Sequence, residues 1–311
     1  MKSLSRAAAP WGLTLSIDSV HVGIPPEEQS FAGDATGHLG VGQPPHDSKP
    51  PLFPGRYPAL GCALNGMPGR ASSADSNDKI LTVDIGGSGL KAAIVDRAGR
   101  MLTERVRVPT PARATPQAVL RALAKLAGRL DVDSSVIGVS VGFPGVVRHG
   151  KTLTAANLGS GWAKFDLARV LTKLWKKPVR VVNDADMQGL GAVAGRGVEV
   201  VVTLGTGFGS AVLVDGELML HLEIAHIPFR NGETYDEQLG QEARKTVGKK
   251  RWNRRVKRAI DALRALTHFD RLYLGGGNSR HVTIKLPADV RLVSNECGMK
   301  GGAALWRDTR L

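Results

Sequence analysis

Short hydrophobic strands that run directly into glycine-rich turns are the feature of this sequence that most restricts its fold. From Lys79 the segments KILTVDI and KAAIVD read as two strands joined by GGSG, and EVVVTLGTGFGSAVLVDGEL (residues 199–218) reads the same way. Strand segments alternate with amphipathic helical ones such as TPQAVLRALAKLAGRL. This alternation predicts an α/β protein, and the antiparallel hairpins predict that its sheets are mixed.

The composition indicates the size of the core and the cellular compartment of the protein. With 311 residues, of which 42% are apolar, it can bury a substantial core in one large domain or two lobes. Only two cysteines occur, Cys62 and Cys297, which excludes a disulfide framework or a cysteine-based zinc site and suits a reducing cytoplasm. No apolar run reaches the roughly 18 residues of a membrane span, and Ser16 and Asp18 interrupt the N-terminal apolar stretch. We therefore expect a cytoplasmic protein with no secretory signal.

Residues 1–78 differ from the rest of the chain. They hold 10 of the 17 prolines, and stretches such as PPHDSKPPLFPGRYP show neither the helical nor the strand period. Such a segment buries too little apolar area to offset its ordering entropy, which predicts a disordered extension. A tail for targeting or partner binding is one alternative, and natural translation from Met67 is another.

The turn within VDIGGSGLKAAIVD is the first candidate phosphate site. Glycine lets the backbone N–H groups of Gly86, Gly87 and Ser88 approach a phosphate closely. Asp84 precedes them, where it would hold a metal through water, and Lys91 would lie near the anion. Two glycines between strands also make an ordinary turn, so this motif alone leaves both interpretations open.

Two further glycine-rich turns follow hydrophobic strands. TLGTGFGSAVLVDGEL repeats the hairpin with hydroxyls at Thr206 and Ser210, so two such hairpins could clamp a phosphate chain from both sides. LYLGGGNSR places its glycines at the predicted head of a helix, where the N–H groups and the dipole favour an anion or a nucleotide. The donor-site candidates in these turns are Gly205, Thr206, Gly207, Gly209, Gly275, Gly276, Gly277 and Asn278.

Two polar motifs supply candidates for the reacting centre. VVNDAD places Asn183 and Asp184 at the end of a buried strand, where a carboxylate could take the proton of a hydroxyl nucleophile in phosphoryl transfer. A strand-end Asn-Asp turn is the structural alternative. LEIAH puts Glu223 and His226 three residues apart, on one side of a helical turn. This pair could be half of a metal site, but the sequence shows no further ligand cluster, so we expect no zinc.

The order of these motifs, DIGGSGLK, GFPGVV, NLGSGW, VVNDAD, LGTGFGSA, LEIAH and LGGGN, resembles the ROK family of actin-like sugar kinases, and within it the polyphosphate-dependent glucokinases. The resemblance covers residues 80–306. It implies an actin-like ATPase (ribonuclease H-like) fold with two lobes and mixed sheets around a central cleft, with lobes at residues 79–187 and 188–311 and the final helix packed back on the first lobe. It also implies a homodimer that phosphorylates glucose at its 6-hydroxyl, with Mg²⁺ and with polyphosphate, ATP or both as donor.

The same resemblance assigns roles to individual residues. It makes Asp184 the catalytic base, excludes Asp186 from that role, and makes Asp84 a magnesium ligand through water. The residues that it assigns to glucose are Asn157, Asn183, Glu223, His226 and Glu237, with Glu242 competing for the role of Glu237; the GFPG loop, Gly142 to Gly145, matches a sugar-side position. The chain departs from the subgroup where MLHLEIAH replaces a Pro-Asn-like pair by Leu220 and His221, which puts the shape of the loop entrance in question.

A dense basic run accounts for much of the formal net charge of +14. In KKRWNRRVKRAIDALRAL, apolar residues at helical spacing predict a buried stripe of Trp252, Val256, Ile260, Leu263 and Leu266. The cations then fan over the remaining surface: Lys249, Lys250, Arg251, Arg254, Arg255, Lys257 and Arg258. A solvated basic face is the simplest interpretation, but a polyanionic donor favours a polyphosphate groove.

Other functions stay open at this stage. A strictly ATP-dependent hexokinase of the same fold could seat adenosine at YLGGGN. A non-catalytic sugar sensor or nucleic-acid-binding protein could use the basic face, because nonspecific binding needs only backbone charge. Aromatic content is 5% and no stacking platform or helix-turn-helix module is visible, so we expect no specific nucleic-acid partner.

Overall fold

Two five-stranded sheets organise the protein, whose computed structural model describes residues 77–155 and 158–307. All but the last two residues of the extension predicted at 1–78 lie outside the described residues. The first sheet has the order β3-β2-β1-β4-β8, with β1 Lys79–Ile85, β2 Leu90–Asp96, β3 Val106–Val108, β4 Val136–Phe143 and β8 Val179–Asn183. The second has the order β11-β10-β9-β14-β15, with β9 Val198–Leu204, β10 Phe208–Val214, β11 Glu217–Leu218, β14 Arg271–Gly275 and β15 Val290–Leu292.

The two sheets share one pattern of strand directions. In each, the first three strands in chain order form an antiparallel meander, and two later strands add in parallel on the other side of the first strand. The tight GGSG and GTG turns close the first hairpin of each meander. This confirms the predicted α/β class, the mixed sheets and the repeated hairpin.

Helices and small sheets connect these strands. The helices are α1 Pro116–Ala127, α2 Leu167–Trp175, α3 Asp184–Ala192, α4 Tyr235–Leu239, α5 Gln241–Thr267 and α6 Cys297–Ala304. Two small sheets contain β5 Val147–Arg148, β6 Lys151–Thr152 and β7 Phe165–Asp166 in one, and β12 Pro228–Arg230 and β13 Glu233–Thr234 in the other. In the described part of the chain, no helix combines the length and the apolar character needed to cross a membrane.

Close packing of α3 against α6 joins the elements around the two sheets. Helix α6 also contacts β1, β2 and β4, whereas α3 reaches β9 and β10. The two helices approach through glycine, since a Cβ at Gly301 would collide with the carbonyl oxygen of Met187, and one at Gly191 with that of Cys297. The absence of these side chains therefore sets the distance between the helices.

Helix α5 carries the basic run and is interrupted at Gly248, whose φ of 75° and ψ of 162° are not helical. Trp252, Val256, Ile260 and Leu263 are buried under the second sheet, as the spacing predicts. The prediction is wrong for Leu266, which is 60% exposed. The chain turns at His268 just beyond the helix, and Phe269 fills the core there instead.

Substitution of Gly301 should measure the importance of the α3–α6 contact. We expect Gly301→Ala to lower the free energy of unfolding by about 1–3 kcal/mol, because the added methyl group must displace packed backbone. The matched control is Gly298→Ala in the same helix, where a Cβ has no neighbour within 4 Å. Urea unfolding of both variants tests this, and equal stability of the two would contradict it.

Candidate active site

A cleft of about 660 Å³ is lined by residues of both sheets and of the loops between them. The first and second glycine hairpins both line it, as do Gly276 and Gly277 after β14. The start of α3 and the turn around Glu223 contribute further polar side chains. The sequence motifs, although far apart in the chain, therefore converge on one cavity.

The junction between β8 and α3 places Asn183 and Asp184 in this cleft. Asn183 is the N-cap of α3: its Oδ1 accepts the N–H of Ala185 at 2.8 Å, and its Nδ2 donates to the carbonyl of Gly145 at 3.1 Å. Asp184 follows as the first residue of the helix. Gly142 on β4 lies against it, since a Cβ there would sit 3.3 Å from the Asp184 Cα. The predicted strand-end motif is thus both a helix cap and a cleft wall.

Asp184 has an unusual protonation equilibrium. Burial raises the pKa of its carboxyl group to about 7, and the negative charge of Asp84 adds to the effect, while the N–H of Ala185 opposes it. A carboxylate with a pKa near neutral can both hold and release a proton at physiological pH. Asp184 is therefore suited to act as a general base.

The first hairpin presents glycine backbone and an ion pair to the cleft. Gly86 N donates to Gly89 O at 3.1 Å, which closes the turn. Asp84 and Lys91 face each other across β1 and β2, and Lys91 Nζ lies 2.6 Å from Asp84 Oδ2. Lys91 therefore forms an ion pair with Asp84. The sequence had suggested instead that Lys91 lies beside a bound anion.

Helix α4 and the loop after β14 both form hydrogen bonds with the second hairpin. Asp236 accepts the N–H of Phe208 at 2.7 Å. Asn278 is buried, and its Nδ2 donates to Gly205 O at 2.7 Å while its backbone N–H donates to Leu204 O at 2.7 Å. Asn278 therefore fixes one glycine-rich turn on the other. Thr206 and Gly207 line the cleft beside Gly205 and Gly209.

The third glycine turn departs from its prediction. Gly276 has a φ of 82°, which lets the chain turn sharply after β14, and a 3₁₀ turn, Ser279–His281, follows. No α-helix begins there; the next one in the described chain is α6. The expected helix head is thus wrong, because SRHVTIKLP has no helical apolar period and Pro287 interrupts it. Gly275 belongs to β14, and a Cβ there would collide with Gln188.

A cluster of carboxylates and histidines forms the opposite side of the cleft. Glu223 precedes the 3₁₀ turn Ile224–His226, and its Oε2 lies 3.5 Å from His226 Nε2. His221 lies between two carboxylates, with Nε2 at 3.0 Å from Glu223 Oε1 and Nδ1 at 3.1 Å from Asp186 Oδ1. The predicted proximity of Glu223 and His226 is present, whereas no sequence motif indicates the contacts of His221.

These contacts set the charges of the cluster. Burial by itself lowers the pKa of His221, but the hydrogen bonds to Asp186 and Glu223 outweigh it and raise the pKa to about 10. The His221 hydrogen bond also lowers the pKa of Glu223. Near neutral pH the cluster therefore contains an imidazolium and an ionised Glu223.

Several predicted residues are not brought to the cleft. Glu237 forms a capping box, in which its Oε2 accepts the N–H of Thr234 at 2.8 Å, and Glu242 pairs with Lys245 at 2.8 Å. Neither lines the cleft. The T-x-x-E spacing of Thr234 and Glu237 is itself a capping signature that the sequence displays. Asn157 lies outside the described residues.

The basic run also lies outside the cleft lining. Arg255 donates to Gln238 O at 3.1 Å, Lys257 pairs with Asp261 at 2.7 Å, and Arg258 lies over the ring of Phe229. The other four cations are exposed and have no side-chain partner among the described residues: Lys249, Lys250, Arg251 and Arg254.

Three arginines that were not predicted from the sequence motifs line the cleft: Arg105, Arg107 and Arg280. Arg107, on β3, donates to the carbonyl oxygen of Ser88 at 3.2 Å, next to the first hairpin. The RVRV alternation puts Arg107, on the edge strand β3, and Arg105, just before it, on the same side of the chain. That spacing is the signal that could have identified them.

Glycine hairpins from two similarly built sheets, facing a carboxyl group with a raised pKa, define a phosphotransferase-type cleft on the actin-like ATPase fold. The chain belongs to the ROK family, whose profile matches residues 80–233, and the relatives described next cover most of its length.

A polyphosphate glucokinase of Mycobacterium tuberculosis is 32% identical over 242 residues, which is 71% of this chain and 88% of that protein. The crystal structure of the inorganic polyphosphate/ATP-glucomannokinase from Arthrobacter sp. strain KM matches with a TM-score of 0.67 at 32% identity, over 73% of this chain and 98% of that one. A ROK family glucokinase from Streptomyces griseus, solved with glucose and AMPPNP, has a TM-score of 0.63 at 19% identity, over 74% of this chain and 100% of that one, and so shows the fold alone.

Asp236 should be essential for the shape of the second hairpin. We expect Asp236→Ala to destabilise the protein by about 1.5–3 kcal/mol, since the Phe208 N–H loses a charged acceptor. Asp236→Asn, which retains an acceptor oxygen, should recover most of that loss. Urea unfolding together with amide exchange at Phe208 measures both, and unchanged exchange in the alanine variant would contradict the assignment.

Proposed function

We propose that this protein transfers a phosphoryl group from inorganic polyphosphate to the 6-hydroxyl of glucose, which makes glucose 6-phosphate. The observation that carries the proposal is Asp184, a partly buried carboxyl group with a pKa near neutral that lines one cleft with two glycine hairpins. The names of the Mycobacterium and Arthrobacter relatives support the choice of sugar and donor.

On the sugar side, Glu223 and His226 bind hydroxyl groups, and Asp184 accepts the proton of the attacking hydroxyl. Glu223 is ionised and therefore accepts hydrogen bonds, while the exposed His226 ring lies beside it. The side-chain oxygen of Asn183 caps α3, and one of its amide N–H groups donates to Gly145 O. Only the second amide N–H is therefore free for a ligand. Asn157 is a further proposed sugar contact. Glu237 is not proposed as one, because its carboxylate caps α4 outside the cleft.

On the donor side, the N–H groups of Gly86 and Gly205 close their own turns, so those of Gly87, Ser88, Thr206 and Gly207 are the ones that stabilise the transferring phosphoryl group. The residues present fit Mg²⁺, because this ion needs only one or two carboxylates together with phosphate and water, and Asp84 offers a carboxylate in the cleft. When bound, the ion would neutralise phosphoryl oxygens. Among the described residues no group of three or more His, Cys, Asp or Glu is arranged as a metal cage.

Two sets of cations favour a polyanionic donor. Arg105, Arg107 and Arg280 lie in the cleft, where they can contact the phosphates nearest the reaction. The exposed part of the basic run begins just after the break at Gly248, at the start of a helical segment. Cations there oppose the helix dipole, so an anion bound to them relieves an unfavourable interaction. We propose that this run holds more distant units of a long chain.

ATP is the second candidate donor, because the Arthrobacter relative is named for both donors and Gly277, which lines the cleft, has open space where a side chain would begin. A purely sugar-sensing or nucleic-acid-binding role is disfavoured, because neither requires a carboxyl group with a pKa near 7 in the cleft.

From the resemblance to ROK sugar kinases we also propose lobes at residues 79–187 and 188–311, a homodimer, and a cytoplasmic location. Sedimentation of the full chain would test the second directly.

Replacement of Asp184 tests the reaction itself. Asp184→Asn should lower kcat for glucose phosphorylation by about 10²–10⁴-fold, because no group remains to accept the proton. Asp131→Asn removes an exposed carboxylate elsewhere and serves as the matched control. Both variants are assayed for glucose 6-phosphate with polyphosphate and Mg²⁺, and near-normal turnover by Asp184→Asn would overturn the mechanism.

Chain length separates the two cation sets. Charge reversal at Lys250, Arg251 and Arg254 should raise the KM for long-chain polyphosphate about tenfold or more, but leave the KM for tripolyphosphate and ATP unchanged, because the run lies outside the cleft.

Arg105→Gln combined with Arg107→Gln provides the contrast, since these side chains line the cleft and should weaken donors of every length. Equal effects of the helix variant on short and long donors would contradict a distal groove. No effect on either would reduce the run to a solvated surface.

A further inference from the structure

His221 connects the two polypeptide segments that carry the reacting groups. Asp186 lies on α3, two residues after Asp184, whereas Glu223 lies in the segment that follows β11. The imidazole of His221 contacts both carboxylates at about the same distance, 3.1 Å to Asp186 and 3.0 Å to Glu223. This one ring therefore ties the helix of the base to the carboxylate of the sugar side.

The arrangement requires a particular charge state. A neutral imidazole has one N–H donor and can serve only one of the two carboxylates, whereas an imidazolium has two. The ring is largely buried, with 17% of its side chain exposed, so a carboxylate left without its donor would face the lone pair of the unprotonated ring nitrogen, with little water to compensate. Both contacts are satisfied together only when His221 is charged.

The segment around His221 is anchored independently of the ring. Ser210 on β10 donates its hydroxyl to the carbonyl of Leu222 at 3.0 Å, and Ile224 and Ala225 are buried in the core. The backbone of this turn is therefore held without His221, and the ring is free to orient the side chain of Glu223. The charged groups that face the ring are Asp186 from α3 and Glu223 from its own segment, with His226 beyond Glu223.

We propose that His221, as an imidazolium, is a positioning residue that fixes the Glu223 carboxylate relative to Asp184 and so sets the affinity for the sugar. One oxygen of Glu223 is held by His221, and the other is directed toward His226 and the cleft, where a sugar hydroxyl can donate to it. This inference rests on the proposed glucose phosphorylation.

Kinetics of His221 variants test this role. In the full-length chain, His221→Leu should raise the KM for glucose at least about tenfold and change the KM for polyphosphate less than about twofold, because the ring lies on the sugar side. His221→Gln, which keeps one donor, should fall between this variant and the wild type. Leu220→Ala is the matched control, since this neighbouring side chain is exposed and lies outside the cleft.

Coupling to Glu223 distinguishes positioning from a general loss of structure. In a Glu223→Gln background, His221→Leu should add little further increase in the KM for glucose, because the group that it orients is already altered. An unchanged KM for glucose in His221→Leu, or fully additive effects of the two substitutions, would overturn the proposal.

The charge state is measured without any activity. ¹⁵N imidazole spectra of the full chain at pH 7.5 should show His221 with both nitrogens protonated, assigned by its loss in His221→Gln. A neutral ring would overturn the inference even if glucose were phosphorylated. Absence of glucose phosphorylation by the wild type with either donor, alongside a charged ring, would instead refute the proposed function and with it the sugar-binding role.

Discussion

The cap that Asn183 places on α3 is the contact on which the site depends. Its amide oxygen fixes the first turn of the helix and its amide nitrogen fixes the loop after β4, so one side chain joins helix, strand and loop. Because Asp184 is the first helical residue, this contact also sets where the carboxyl group lies. The glycine-mediated packing of α3 on α6 then holds the rest of the helix in place.

The pattern of ion pairs decides which carboxylate can act as a base. Asp84 has Lys91 as its partner, and Asp186 and Glu223 share His221. Asp184 has no cationic partner among the described residues, and it lies near the charges of Asp84 and Asp186. Its protonated form is therefore favoured more than in water, whereas Glu223 is held ionised. Four acids in or next to one cleft are thus distinguished by their neighbours.

The most basic stretch of the sequence and the basic side chains that line the cleft are different residues. The run from Lys249 to Arg258 is the most basic stretch of the chain, yet its buried stripe turns it against the second sheet and away from the cleft lining. Arg105, Arg107 and Arg280 are unremarkable in sequence, but the fold brings them to the glycine turns. Only the second of these two sets therefore lines the cleft.

Local patterns in the sequence determined the α/β class, the repeated hairpins, the stripe of α5 and the place of Asp184 at the end of a strand, because each depends on residues close together in the chain. Even here, Leu266 shows that helical spacing cannot tell where the covering sheet ends. Glu237 shows that a local capping signature can outweigh an expected ligand role. What only the tertiary structure decided are contacts between distant segments: the proximity of Asp84 to Asp184, the arginines of the cleft, and the bridge from Asp186 through His221 to Glu223. Electrostatic interactions act through space, so the pKa values of these groups follow from positions that no single stretch of sequence contains.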